Sequence, residues 1–156
     1  MTLEGSCACG AVRFSVESTE AVPYLRCYCS VCRKTQGGGG FIINLGGDTR
    51  TLEVEGREHT SIFRARVGDA QSRHERVFCS RCGSHLWAWH PQWPELVHPV
   101  AGAIDTPLPH PPERVHMMVG SRSNWAKPEG HADDVHFEEY PAESLVDWHT
   151  NRGLDT

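Results

Sequence analysis

Short runs of alternating apolar and polar residues, many of them β-branched, recur along the chain between turn residues. Such a run predicts a strand, because alternate side chains of a strand face opposite sides of its sheet. Eight runs fit this description, at residues 11–16, 24–28, 41–45, 51–55, 61–65, 73–78, 86–89 and 115–119. A further apolar stretch, residues 97–104, lies inside the proline-rich segment 91–112 and predicts a loop, a strand and a second loop. The pattern therefore predicts a mainly β fold of small antiparallel sheets.

Helical periodicity is clear only near the C-terminus. Residues 142–152 carry Leu145, Val146 and Trp148 at helical spacing, and Gly153 follows as a stop signal. Residues 30–35 fit one short turn of helix. The expected fold is thus mixed β with few short helices, one of them at the C-terminus.

The chain carries four consecutive glycines at residues 37–40. They predict a hinge, or a place where the backbone passes close to another group, because glycine reaches strained backbone conformations at low cost. They are not a phosphate-binding loop, since the Gly-x4-Gly-Lys-Ser/Thr pattern is absent.

Length and charge narrow the class of protein. The 156 residues correspond to about one domain, and no apolar run approaches the roughly 20 residues of a membrane span. Residues 1–5 lack the basic and apolar regions of a signal peptide, so we expect a cytoplasmic protein without a membrane partner. The net charge of -5, with only Lys34 and Lys127 as lysines, argues against a nucleic-acid partner, which requires clustered cations.

The seven cysteines fall into three tight clusters. An odd number cannot pair completely in disulfides, and pairs two or three residues apart would close small, strained rings. A closed structural zinc site takes four ligands, whereas a catalytic zinc commonly keeps three protein ligands and one open position. Seven thiolates divide naturally into four and three, which predicts two zinc ions per chain. Reduced thiols also agree with the expected cytoplasmic location.

The spacing favours one division of the seven sulfurs. Cys7 and Cys9 would face one side of a strand, and Cys79 and Cys82 have the spacing of a zinc knuckle with a glycine after the second cysteine, so the two pairs can form a four-sulfur site. This leaves residues 27–32 with three thiolates, which need no long-range loop closure to meet. The alternative division puts the pairs at 27 and 29 and at 79 and 82 together and leaves residues 7, 9 and 32. Spacing alone does not exclude it.

The triplet Cys27, Cys29 and Cys32 predicts a reactive metal site. With three local ligands, a zinc ion keeps a fourth position for water, a histidine or an external thiol. The alternative interpretation is a second structural site completed by a distant histidine.

Longer segments around the cysteines carry a family resemblance. They read GSCACGAVRF at 5–14, CYCSVCRK at 27–34 and FCSRCGSHLW at 78–87, followed by AGAID at 101–105 and SRSNW at 121–125. In this order they resemble the glutathione-dependent formaldehyde-activating enzyme family, which includes the centromere protein V group. The resemblance extends over about residues 3–140.

The resemblance implies a mixed β fold of small sheets around zinc. It implies a structural zinc at Cys7, Cys9, Cys79 and Cys82, and a second zinc at the catalytic residues Cys27, Cys29 and Cys32. The implied activity is a zinc-dependent carbon–sulfur lyase reaction, in which formaldehyde and glutathione combine to S-hydroxymethylglutathione. Residues 1–140 would form the zinc domain and residues 141–156 a C-terminal helical extension.

Histidine, tryptophan and arginine residues are weaker candidates for functional roles. His85 follows the knuckle and is expected on the surface or beside a metal ligand. Seven other histidines are expected on the surface: His90, His98, His110, His116, His131, His136 and His149. Trp125 and Arg122 are candidates for contacts with a small molecule, against the simpler interpretation of packing and solvation. The rival function, from another class, is a non-catalytic binding module stapled by zinc.

Overall fold

The computed structural model describes residues 1–36 and 38–154. Gly37 of the glycine run, and Asp155 and Thr156 at the end of the predicted extension, lie outside the described residues. Backbone contacts divide the chain into two compact units: the first contains residues 1–18 and 47–108, and the second contains residues 19–46 and 109 onwards. Each unit contains one of the cysteine groups described below.

The first unit is built from three sheets. A three-stranded sheet has the order β1-β2-β6, a five-stranded sheet has the order β5-β12-β11-β10-β7, and β8 and β9 form a separate hairpin. The strands are β1 Thr2–Ser6, β2 Arg13–Glu17, β5 Gly47–Asp48, β6 Glu53–Glu55, β7 Thr60–Phe63, β8 Arg66–Val67, β9 Ala70–Gln71, β10 Glu75–Cys79, β11 His85–Trp89 and β12 Leu96–Pro99. All pairings in these sheets are antiparallel.

Strand β1 pairs with β2 along its whole length, and alternation places Leu3 in the core at 0% exposure. Gly5 of β1 faces the same side as Leu3 and lies opposite Phe14 of β2, so an added Cβ at Gly5 would come within 2.4 Å of the Phe14 ring. The glycine is therefore required by packing, because any side chain would displace a core aromatic ring. Phe14 in turn makes an edge contact with Trp87 of β11, at 5.1 Å between ring centroids.

The second unit contains one four-stranded sheet and, within the described residues, both α-helices. The strand order is β14-β13-β3-β4. The elements are β3 Tyr24–Cys27, α1 Ser30–Gln36, β4 Ile42–Asn44, β13 Arg114–Met117, β14 Val135–His136 and α2 Leu145–Asn151.

This sheet is mixed, which corrects the prediction of small antiparallel sheets for this part of the chain. Strand β13 runs parallel to β3, with Met117 opposite Cys27, and parallel also to β14. Apolar alternation gives the exposure of the two faces of a strand but not the direction of its neighbours. Both faces of β13 are covered, since Val115, His116 and Met117 are all buried.

Helix α2 forms where the C-terminal periodicity predicts a helix. The Ser144 side chain caps it by accepting a hydrogen bond from the backbone N–H of Asp147 at 3.1 Å. Its buried Trp148 donates a hydrogen bond to Glu113 at 2.7 Å, and Arg152 pairs with the same carboxylate at 2.6 Å. The separation of residues 141–156 as an extension of a 1–140 domain stays a prediction.

Each of the eight runs singled out in the sequence contains a strand, so the prediction of a mainly β fold with few short helices is confirmed. Neither of the described helices has the length and apolar character to cross a membrane.

Candidate metal centres

The first cysteine group lies in the first unit and contains four sulfurs. Cys7 and Cys9 follow β1, Cys79 ends β10, and Cys82 lies in the turn to β11. The four Sγ atoms lie within 4.8 Å of one another, with 3.6 Å between Cys7 and Cys9 and 3.8 Å between Cys9 and Cys79. Cys7 and Cys79 are buried, whereas Cys9 and Cys82 are exposed.

Two similar turns bring these four sulfurs together. In one turn the N–H of Gly10 donates to the Cys7 carbonyl at 3.0 Å, and in the other the N–H of Gly83 donates to the Cys79 carbonyl at 2.8 Å. Both glycines have positive φ, 75° and 77°, which a residue with a side chain adopts only at a cost. Cys7 and Cys9 therefore converge through a tight turn, which corrects the interpretation of this pair as neighbours on one face of a strand.

The surroundings of the four thiols favour ionisation of some of them. Hydrogen bonds from the Ser84 hydroxyl and backbone N–H, and then from the backbone of Cys9, lower the pKa of Cys82 to about 5. The backbone N–H of Ala11 acts to lower the pKa of Cys9, but burial and the neighbouring thiols raise it to about 11. Four close thiolates repel one another, so full ionisation of the group requires a cation.

The geometry fits such a cation. Four sulfurs about 2.3 Å from a tetrahedral zinc ion lie about 3.8 Å from one another. The separations of 3.6 and 3.8 Å are already close to that value. Hence this group could hold a metal ion with four protein ligands.

The second cysteine group lies in the second unit and contains three sulfurs. Cys27 ends β3, Cys29 precedes α1 and Cys32 lies in its first turn, and their Sγ atoms lie within 4.8 Å of one another. Cys27 and Cys32 are buried, whereas Cys29 is half-buried. In residues 1–36 and 38–154, no further His, Cys, Asp or Glu atom completes this group.

The three thiols hydrogen-bond to one another, so each of them affects the pKa of the others. Hydrogen bonds from the Cys27 and Cys32 thiols, and from the backbone N–H groups of Cys32 and Val31, lower the pKa of Cys29 despite its burial. The same contacts with Cys29 and Cys32, together with burial, raise the pKa of Cys27. These hydrogen bonds favour one negative charge within the group, while a second and third require a positive charge in their midst.

The structure groups the seven sulfurs as spacing favours, four and three. The alternative division, with residues 7, 9 and 32 as the smaller set, is not the observed one. Both groups could hold metal ions. The catalytic and structural roles predicted for them stay predictions.

The sequence pattern did not predict the buried polar residues next to the second group. Tyr28 lies between Cys27 and Cys29, and its hydroxyl lies 2.9 Å from His116 Nδ1. His116 Nε2 lies 3.0 Å from Asp134 Oδ2. The prediction that His116 lies on the surface is wrong, because the residue is 0% exposed. The only sequence signal was its place between Val115 and Met117 in a strand.

His85 is buried, with 1% exposure, and stacks on Phe78 at 4.7 Å between ring centroids. It belongs to neither cysteine group. Burial first, and then the charge of Arg76, lower the pKa of His85 to about 4. Trp125, the tryptophan that the sequence suggested for contact with a small molecule, is exposed, whereas Trp87 of β11 is buried in the core. The Arg122 guanidinium donates a hydrogen bond to the Val119 carbonyl at 2.9 Å.

Comparisons with known proteins agree with the cysteine pattern. The family model described as "Glutathione-dependent formaldehyde-activating enzyme" matches residues 2–121. A protein of Halomonas elongata that carries this family's name provisionally is 56% identical over 155 residues, which cover 99% of each chain. A solved structure of a Rhodobacter sphaeroides protein shares the fold, with a TM-score of 0.52 and 24% identity over 70% of this chain and 92% of that one. The chain therefore belongs to the glutathione-dependent formaldehyde-activating enzyme family.

Proposed function

We propose that this protein is a zinc-dependent carbon–sulfur lyase that joins a small thiol, such as glutathione, to a small aldehyde, such as formaldehyde. The product would be S-hydroxymethylglutathione, and the same site would catalyse the reverse cleavage. The family supports the choice of thiol and aldehyde, because the description of its model and the name of the Halomonas elongata relative include both.

The observation that carries the proposal is the difference between the two cysteine groups. The first group supplies four sulfurs, two from each of its two turns, and four ligands complete a tetrahedral site. The second supplies three, with no fourth side chain added from the described residues, and its Cys29 is only half-buried. A three-ligand group with an accessible edge is the arrangement typical of a reactive metal site.

In this proposal Cys7, Cys9, Cys79 and Cys82 hold a structural zinc, and Cys27, Cys29 and Cys32 hold the zinc at the reactive site. A zinc ion there would supply a fourth coordination position and a positive charge that favours the thiolate form of an entering thiol at neutral pH.

The residues of the second group would prepare the site for that thiol. The Cys32 backbone N–H, which lies 3.3 Å from the Cys29 sulfur, stabilises negative charge on that sulfur. Arg33 and Lys34 follow on α1 and offset part of the negative charge of three thiolates. The half-buried position of Cys29 leaves a side from which a substrate can enter.

The overall reaction is balanced without an oxidant or a reductant. The thiol sulfur forms a bond to the aldehyde carbon, the π bond of the carbonyl breaks, and the proton lost from the thiol is recovered on the product hydroxyl. Cleavage reverses each step. Because formaldehyde and thiols combine spontaneously, catalysis has to be measured as an exchange rate above that background.

The test measures exchange between free and thiol-bound formaldehyde by NMR at equilibrium, with and without the protein. The wild-type chain should accelerate the exchange, and Cys32→Ser should abolish the acceleration because it removes one of three ligands. Ser30→Ala is the matched control, since Ser30 is an exposed residue in the same turn and contributes no sulfur.

Equal exchange rates with and without the zinc-loaded wild-type protein would contradict the lyase proposal. That outcome, together with two firmly bound zinc ions, would favour the rival function of a non-catalytic binding module.

A further inference from the structure

A buried chain of hydrogen bonds lies directly behind the second cysteine group. Tyr28, at 1% exposure, contacts His116, at 0%, and His116 contacts Asp134, whose side chain is 1% exposed. The two contacts measure 2.9 Å, from the Tyr28 hydroxyl to His116 Nδ1, and 3.0 Å, from His116 Nε2 to Asp134 Oδ2. Burying polar side chains costs free energy unless each of them has a hydrogen-bond partner. The two contacts therefore stabilise the buried positions of these three side chains.

The direction of the hydrogen bonds follows from their partners. Burial acts to raise the pKa of Asp134, but hydrogen bonds from His116 and from the backbone N–H groups of Arg114 and His131 hold it below its ordinary value. The carboxylate therefore accepts, and His116 Nε2 carries the hydrogen. A neutral imidazole then accepts at Nδ1, and the Tyr28 hydroxyl donates to it.

The far end of this chain is held firmly. The backbone N–H groups of Arg114 and His131 each donate to Asp134 at 3.1 Å. A Cβ on Gly130 would come within 1.5 Å of Asp134 Oδ2, so the glycine is required for the carboxylate to reach its position. The His136 ring stacks on His116 at 4.4 Å and 7°. Hence His116 is held by a partner at each ring nitrogen and by a second ring stacked on its face.

The near end fixes the metal-binding segment. The Tyr28 N–H donates to the Met117 carbonyl at 3.1 Å, which continues the parallel pairing of β3 with β13 past Cys27. The Tyr28 ring packs against Val119, Ala126 and Phe41. In an extended chain alternate side chains face opposite sides. Cys27 ends β3, so its side chain faces the side opposite to Tyr28, and Cys29 follows Tyr28 at the bend into α1. Anchoring Tyr28 thus fixes the backbone on which both cysteines lie.

We propose that His116 and Asp134 are positioning residues for the reactive metal site: through Tyr28 they hold Cys27 and Cys29 so that both sulfurs converge with Cys32 on one ion. The inference rests on the proposed function in one respect, the presence of a metal ion at the three-cysteine group. Partners that orient metal ligands in this way influence affinity by about 10-fold to 100-fold.

The test is the zinc affinity of the second site, measured by competition with a chelator. Tyr28→Phe keeps the ring and removes only the hydroxyl, so it should weaken zinc binding by about 10-fold or more. Tyr24→Phe is the matched control, because Tyr24 lies on the same strand and its hydroxyl donates to the Pro109 carbonyl at 2.6 Å, away from the cysteines. It should leave the affinity of the second site unchanged. Asp134→Asn should weaken binding in the same direction as Tyr28→Phe.

The four-cysteine site of the same molecule is an internal reference. At saturating cobalt, Tyr28→Phe should alter the absorption bands of the second site alone, which a general loss of stability would not do. If Tyr28→Phe and Asp134→Asn bind the second ion as tightly as Tyr24→Phe does, or if both sites weaken equally, the positioning role is overturned. A wild-type chain that binds only one ion overturns the proposed function instead.

Discussion

The buried His85 gives a prediction whose size follows from its surroundings. The residue is 1% exposed, stacks on Phe78, and has its pKa lowered from 6.5 to about 4 by burial and by the charge of Arg76. The unfolded chain takes up a proton on His85 below about pH 6.5, whereas the folded chain does so only below about pH 4. The stability that neutral His85 contributes is therefore fully present above pH 6.5 and is lost as the pH falls towards 4.

This difference in proton uptake corresponds to about 2–3 kcal/mol of unfolding free energy between pH 7.5 and pH 4.5. His85→Phe keeps a planar ring against Phe78 and removes the titrating group. The wild-type chain should therefore lose about 2–3 kcal/mol more than His85→Phe does over this interval.

The assay is urea unfolding of both chains at the two pH values, with the same excess of zinc present in each. Protonation of the cysteines and the accompanying loss of zinc affect both chains alike and cancel in the comparison. His110→Phe, which removes an exposed histidine, is the control and should follow the wild-type chain. Equal losses of stability by the wild-type chain and His85→Phe between the two pH values would show that His85 does not titrate in this way.

Three further predictions concern the cysteine groups. Gly83→Ala should destabilise the first unit by about 1–2 kcal/mol in chemical unfolding. The φ angle of Gly83 is 77° and no atom lies near an added Cβ, so the cost comes from the backbone conformation alone. A stability equal to that of the wild-type chain would refute this prediction. Cys79→Ser should damage folding, because the free energy of metal binding contributes to the free energy of folding. Cys32→Ser should leave the chain folded, as measured by circular dichroism. Equal losses of secondary structure in the two variants would show that the structural and reactive roles are misassigned. Glutathione should change the sulfur-to-metal absorption of the cobalt-substituted protein, and Cys29→Ser should remove that response, whereas spectra that ignore millimolar thiol would mean a closed site.

The alternation of apolar residues predicted the strands well because most strands have one buried and one accessible face. It did not reveal β1, in which Gly5 breaks the pattern of strand-forming residues because the Phe14 ring occupies the space of a side chain. It could not reveal that β3 and β13 pair in parallel either. About 85 residues separate them, and pairing over such a distance leaves no local signal.

The candidate site was predictable to the extent that it depends on spacing. Cysteines two or three residues apart can meet locally, so their spacing favoured the four and three division without excluding the alternative one. The buried support of the second group could not. Tyr28, His116 and Asp134 come from distant parts of the chain, and His116 looks like a surface residue until both faces of β13 are known to be covered.

Two unequal metal sites in one chain can be counted, and the number of zinc ions per chain is the sharpest test of them. Gently purified wild-type protein should contain about two, one of which a chelator removes readily because its site has an open position. Cys32→Ser should retain about one, firmly bound. A wild-type value of one zinc per chain, unchanged by Cys32→Ser, would contradict the account.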